Sequence, residues 1–183
     1  MKNIIIILIF SLFLYACKDN STKSSPSSQV ITANQRNSAV TAYANSYNAG
    51  LSLLNISTKS IGTDGKASQW SYCYVDTSLG GHPIYYFHAT ANEVGFDSTA
   101  QLLDGRSVIT LRWFDSDSAL IFAELNSGSQ YRTENPNTTI AASLGQSLSP
   151  NPVASWWIIY QGGPIVLGLR IDANTGTLLG QTR

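Results

Sequence analysis

Cysteine is nearly absent from this chain of 183 residues, which has only Cys17 and Cys73. Two cysteines so placed exclude a disulfide-stapled scaffold and a structural zinc site of paired thiolates. Charge is scarce as well, at 12% of residues, with eleven Lys+Arg against eleven Asp+Glu. No basic cluster is present, and a surface without one cannot recruit phosphates, so nucleic acid is excluded as a partner. A nucleophile elbow, a phosphate-binding glycine loop and a His-Glu-x-x-His pair are all missing, so no catalytic motif is recognised and no cofactor or metal is expected. The two histidines, His82 and His88, lie across a turn and a strand, a placement that does not by itself build a metal site. Nor is there a spanning segment at the N-terminus. The apolar run from Ile4 to Tyr15 is twelve residues interrupted by Ser11, and as a helix it would rise about 18 Å against a hydrocarbon core of ~30 Å.

What is present begins with that run. Lys2 precedes it, giving the charged and apolar regions of a signal peptide. Directly after it comes Leu14-Tyr15-Ala16-Cys17, an aliphatic residue, a small residue and a cysteine in the order that resembles the lipobox of bacterial lipoproteins. The resemblance implies a signal peptide over 1–16 and lipid attachment at Cys17, whose thiolate takes a diacylglyceryl group and whose freed amine can also be acylated. Two or three chains would hold the protein firmly, each buried CH₂ adding about 0.8 kcal/mol. The mature chain would keep ten Lys+Arg against eleven Asp+Glu, a formal charge of −1. Lys18, in place of the Asp that marks inner-membrane retention in enteric-type bacteria, favours the outer-membrane or periplasmic side.

Residues 17–37 are rich in Ser, Thr and Asn with little apolar periodicity and read as a flexible tether. Beyond them, Val40, Tyr43, Ala44, Tyr47 and Leu51 recur at helical intervals, which predicts a helix over about 39–54. Strands are expected at 70–75 and 84–90, joined through Gly80-Gly81, and again at 106–114, 156–160 and 165–171. Residues 96–105 read as an irregular connection, and 129–153 as polar chain with a helical turn or strand near 140–148. Asp115 to Ser118 offers helix caps ahead of Ala119 to Leu125, and Asp172 to Gly176 reads as a turn.

Two stretches share an order of helix, Trp-led strand, Gly-Gly turn and returning strand. In the second, Asp115-Ser116-Asp117-Ser118-Ala119-Leu120, the strand Trp156 to Tyr160, and Leu169-Arg170-Ile171-Asp172-Ala173-Asn174-Thr175-Gly176 resemble the PepSY domain. That resemblance implies an α+β fold of two helix-plus-antiparallel-sheet repeats, a first over 38–95 and a second over 96–183. It also implies a binding or inhibitory role toward peptidases or other envelope proteins, and carries no catalytic residues.

Function is therefore expected to be non-enzymatic. The chain reads as a lipid-anchored envelope module that binds a protein or peptide, or alternatively as a structural scaffold with no ligand of its own. A hydrolase using Cys73 or a histidine is the weaker alternative. The partner-binding residues suggested are the aromatics Trp70, Trp156, Trp157 and Tyr160, set against the reading that they fill a core. Trp156 and Trp157 are adjacent on one strand and must point to opposite faces.

Overall fold

The computed structural model describes residues 29–78, 82–101, 107–148 and 150–183. The signal segment, Cys17, most of the tether, the Gly80-Gly81 turn and the Asp104-Gly105 turn lie outside the described residues. Helix α1 spans Asn37–Tyr47 and is followed by strands β1 (Leu51–Thr58), β2 (Trp70–Asp76), β3 (Pro83–Ala89) and β4 (Val94–Gln101). Helix α2 (Ser116–Ala123) passes through a kinked turn, Glu124–Gly128, into α3 (Ser129–Glu134), and β5 (Thr139–Gln146), β6 (Ala154–Gln161), β7 (Leu167–Asp172) and β8 (Leu178–Thr182) complete the chain.

All eight strands form one antiparallel sheet in the order β4-β3-β2-β1-β5-β6-β7-β8. The fold is mainly β. This corrects the expectation of an α+β fold made of two PepSY-like helix-plus-sheet repeats, because the sheet runs unbroken through its middle and the helices are short. The join is the pairing of β1 with β5, which matches Asn55, Ile56, Ser57 and Thr58 with Gly145, Leu144, Ser143 and Ala142.

The helices cover one face. Along β2, Trp70, Tyr72 and Tyr74 point into that covered side, as do Trp156, Ile158 and Tyr160 along β6, and all six are buried. The indoles of Trp70 and Trp156 meet edge to face at 6.1 Å, and Trp113 packs on Trp156 at 6.2 Å. The polar tips of these buried aromatics find partners, as burial requires. Trp70 Nε1 donates to the Ile31 carbonyl and Trp156 Nε1 to that of Phe114, both at 2.9 Å, and the Tyr72 hydroxyl donates to the Ala33 carbonyl at 2.5 Å.

Several local expectations shift. The predicted helix over 39–54 ends at Tyr47, because the Asn48 side chain accepts from Gly50 N at 2.8 Å and closes a turn, after which Leu51–Thr58 extends into β1. The helical spacing of Leu51 was coincidental. Residues 107–114 are not a strand. Ile109 N donates to the Leu53 carbonyl at 2.7 Å, where β1 runs beyond the reach of β5, and Thr110 N and Leu111 N donate to Gln146 Oε1. The segment then ends against the covered face through Trp113 and Phe114. Residues 96–101, the described start of the connection expected to be irregular over 96–105, belong to the edge strand β4 (Val94–Gln101), and Leu178–Thr182 is the opposite edge, β8.

The start of α2 ties three segments together. Asp115 accepts from Ser116 N at 2.7 Å as the helix cap, from Thr32 Oγ1 at 2.5 Å and from Asn34 N at 2.9 Å. Ser116 Oγ donates to the Gly65 carbonyl at 2.7 Å and accepts from Ala33 N at 3.0 Å. At the other end of the helix, Glu124 binds the Arg132 guanidinium, at 2.6 Å from Nη2, and accepts from the Tyr160 hydroxyl at 2.9 Å. Burial, and then the neighbouring carboxylate, push the Tyr160 hydroxyl pKa up, so it stays a donor.

The turn after β7 is fixed by one carboxylate and one glycine. Asp172 Oδ1 accepts from the backbone N–H of Asn174 and Thr175, at 2.8 and 2.9 Å. Gly176 has φ +77°, and a Cβ there would come within 2.5 Å of the Phe122 ring. Gly176→Ala is expected to cost about 3 kcal/mol in urea unfolding, from positive φ and overpacking together. Gly180→Ala, where a Cβ meets nothing within 4 Å, should stay within about 0.5 kcal/mol. Burial raises the Asp172 carboxyl pKa, but the N–H groups of Asn174 and Thr175 outweigh it and hold the group below its ordinary value. Its stabilising contribution is thus complete above the unfolded carboxyl value, near pH 4, and is lost as pH falls through the lower folded value. Urea midpoints measured between pH 6 and pH 2 should show the gap between wild type and Asp172→Asn closing only below about pH 4.

Candidate functional site

The face of the sheet opposite the helices carries every second residue of each strand. From β3 across to β7 these include Tyr86 and His88, Ser71 and Cys73, Asn55 and Ser57, Ser143 and Gly145, Ser155 and Trp157, and Arg170. The large aromatics of β2 and β6 are spent on the covered side, so the middle of this open face is floored by small residues. Two adjoining depressions result, of about 560 and 470 Å³, which share Ser57 and Ser143. The first reaches Lys59, Gln69 and Ile159. The second is walled by Tyr86 at one side and Trp157 at the other, above Asn55 and Gln146.

Trp157 is 39% exposed, and the Arg170 guanidinium carbon lies 5.9 Å from its ring centroid. Arg170 Nε donates to Ser155 Oγ at 3.0 Å, which sets the plane of the fork beside the indole. Asn55 Nδ2 donates across the central join to the Leu144 carbonyl at 2.6 Å and to Ser143 Oγ at 2.9 Å. Its amide therefore stands fixed at the floor.

Of the four aromatics suggested from sequence, Trp157 alone stands on this face. Trp70, Trp156 and Tyr160 are fully buried under the helices and cannot touch a partner while the domain is folded. Tyr86 and Arg170 were missed as site residues. The signal for Arg170 was a lone cation inside the otherwise apolar strand Leu167-Gly168-Leu169-Arg170-Ile171; Tyr86 had none beyond alternation along β3. Cys17, the proposed lipid attachment residue, lies outside the described residues.

Nucleophilic groups are present on the open face without being assembled. Ser71 sits opposite His88, whose Nδ1 is 2.5 Å from Asp97 Oδ1, a composition that suggests a hydrolytic triad. The imidazole, however, lies over Gly95, where a Cβ would strike it, with Nε2 3.8 Å from Glu93. The ring leans toward β4, away from Ser71, and no Ser71–His88 hydrogen bond joins them among the described residues. Cys73 is 4% exposed, packed in a small cluster with Leu54, Val75 and Ile84. Among the described residues no group of three or more His, Cys, Asp or Glu is placed to hold a metal ion, and no helix is long and apolar enough to cross a membrane.

No family model matches the chain, and no curated protein matches it either. The PepSY resemblance thus gains no support beyond the residues that suggested it. Among solved structures, the fold is similar to that of a candidate lipoprotein from Clostridium difficile 630, at 14% identity and a TM-score of 0.56, over 85% of this chain and 96% of that one. At that identity the likeness establishes a shared fold.

If Cys73 is the inert thiol its packing indicates, a chain carrying Cys17→Ser should be alkylated by iodoacetamide at least about a hundredfold more slowly when native than in urea, since reaction must await local opening. A native rate within a few-fold of the unfolded rate would instead return Cys73 to the list of nucleophiles.

Proposed function

We propose that this chain is a bacterial cell-envelope lipoprotein, anchored through lipid on Cys17. Its domain would be a non-enzymatic module that binds a protein or peptide on the open face of its sheet. The anchor rests on Leu14-Tyr15-Ala16-Cys17 behind a short apolar run, and is supported by the candidate lipoprotein that shares the fold. The observation that carries the binding role is the open depression between Tyr86 and Trp157, left uncovered by the domain's own helices. Trp, Tyr and Arg are the residue types that dominate binding energy at protein interfaces, and Trp157, Tyr86 and Arg170 provide one of each.

The direction of chain entry supports the same reading. Ile31, Thr32 and Ala33 fasten to Trp70, Asp115 and Ser116 on the helix-covered side. The twelve residues from Cys17 to Ser28 can span at most about 40 Å from that point. A lipid at Cys17 would tether the covered side and leave the open face free to look away from the membrane. The scaffold reading draws on a different feature, the two sheet edges at β4 and β8, which pair with no further strand among the described residues and could take up another.

The test of the anchor is the intact mass of protein taken from a membrane fraction. The expected mass is that of residues 17–183 plus a diacylglyceryl group or more, and Cys17→Ser should lose both the added mass and the membrane association. An unmodified chain in wild type would remove the lipoprotein proposal.

A further inference from the structure

The charges of the open face point to the chemistry of its partner. Neither depression is lined by an Asp or Glu among the described residues, although the chain holds equal numbers of acids and bases. Among the described residues, the charged groups that border them are Lys59, in the wall of the larger one, and Arg170, beside Trp157. Neither forms an ion pair among the described residues, in contrast to Arg132, whose fork is closed by Glu124, and Lys66, which meets Asp64 at 3.3 Å. Among the described residues Arg170 spends only its Nε–H, on Ser155, so its remaining N–H groups face no other described partner while packing on the indole holds the fork in place. The nearest acid on the same strand, Asp172, turns its carboxylate into its own turn.

We infer that the open face receives a carboxylate-bearing segment of a protein partner, with one carboxylate taken by Arg170 at the Trp157 end, another by Lys59 in the adjoining depression, and an aromatic or aliphatic side chain seated between Tyr86 and Trp157. This rests on the binding role proposed above and adds the partner's chemistry. A planar fork held against an aromatic ring suits a carboxylate in a partly desolvated setting, where a bidentate pair is stronger than a simple ion pair. The acids that the described residues place on this face, Asp97 and Glu93, lie at its β3–β4 side against His88, so the two cations steer an acidic segment toward the Arg170 and Lys59 side at low salt.

The experiment uses the mature chain with Cys17→Ser and follows the four Trp indole N–H resonances, with Trp157→Phe assigning the exposed one. The probes are poly(Glu,Tyr), poly(Lys,Tyr) and chitohexaose. The inference expects poly(Glu,Tyr) to move the Trp157 signal and spare those of Trp70 and Trp156, in a salt-sensitive way. It expects Arg170→Glu with Lys59→Glu to weaken that binding at least about tenfold. Lys66→Glu, off this face, should change it less than twofold. A response to poly(Lys,Tyr) or chitohexaose alone would overturn the acidic-partner inference while leaving the face a binding surface. If no probe moves Trp157, a photo-cross-linker placed at Ser143 in cells separates the two failures: an adduct sinks the inference alone, and no adduct sinks the binding role with it.

Discussion

The pairing of β1 with β5 is the constraint on which the rest of the molecule depends. Four residue pairs, Asn55 to Thr58 against Gly145 to Ala142, turn two runs of four strands into one sheet. On the covered side the join is bridged by Trp70 and Trp156, whose rings reach across it from β2 and β6. Next to the open side the Asn55 amide stitches it through Leu144 and Ser143. The bulge in β1 between Leu53 and Asn55 limits the pairing, since ahead of it the edge of β1 is left to Ile109 rather than to β5. The same join makes the depression. Strict alternation sends Ile56 and Leu144 into the core and leaves Asn55, Ser57, Ser143 and Gly145 to face outward, too small to fill the space between Tyr86 and Trp157.

What sequence could reveal of this was governed by range. The hairpin of β2 and β3, the strands β6 and β7, the Asp115 cap and the Asp172-to-Gly176 turn each rest on contacts between chain neighbours or adjacent strands, and all were legible. The β1–β5 join is made between side chains 88 residues apart, and nothing local in Leu51–Thr58 distinguishes it from the end of an amphipathic helix. That is why two separate repeats were expected where one sheet exists. The edges failed for the opposite reason. β4 is largely exposed and polar along Asp97 to Gln101, so its pairing with β3 leaves no apolar alternation to read.

The aromatics show the limit at the site itself. Period two along β6 separates Trp156 from Trp157 but does not say which face the helices will cover. Once α2 packs against β6 and β7, Trp156 and Tyr160 become core and Trp157 becomes surface. Trp70 follows Trp156 inward because the two rings pack on each other, and its Nε1 is matched by the Ile31 carbonyl of the entering chain. The N-terminal segment therefore completes the core, and its position on the covered side is set by hydrogen bonds to Trp70, Tyr72, Asp115 and Ser116.

That last connection bears on function more than any single pocket residue. On the lipoprotein reading, the tether's point of departure is fixed on the covered side by the same contacts that bury Trp70 and Tyr72. A partner on the open face would meet strand positions whose backbone is held from both neighbours, and side chains such as Arg170 and Asn55 whose orientation is set by Ser155, Leu144 and Ser143. Little order would remain to be imposed on binding, which lowers its entropic cost. Among the described residues, the imidazole of His88 is committed to Asp97 over Gly95, and Cys73 packs with Leu54, Val75 and Ile84, so this histidine and this thiol serve different neighbours.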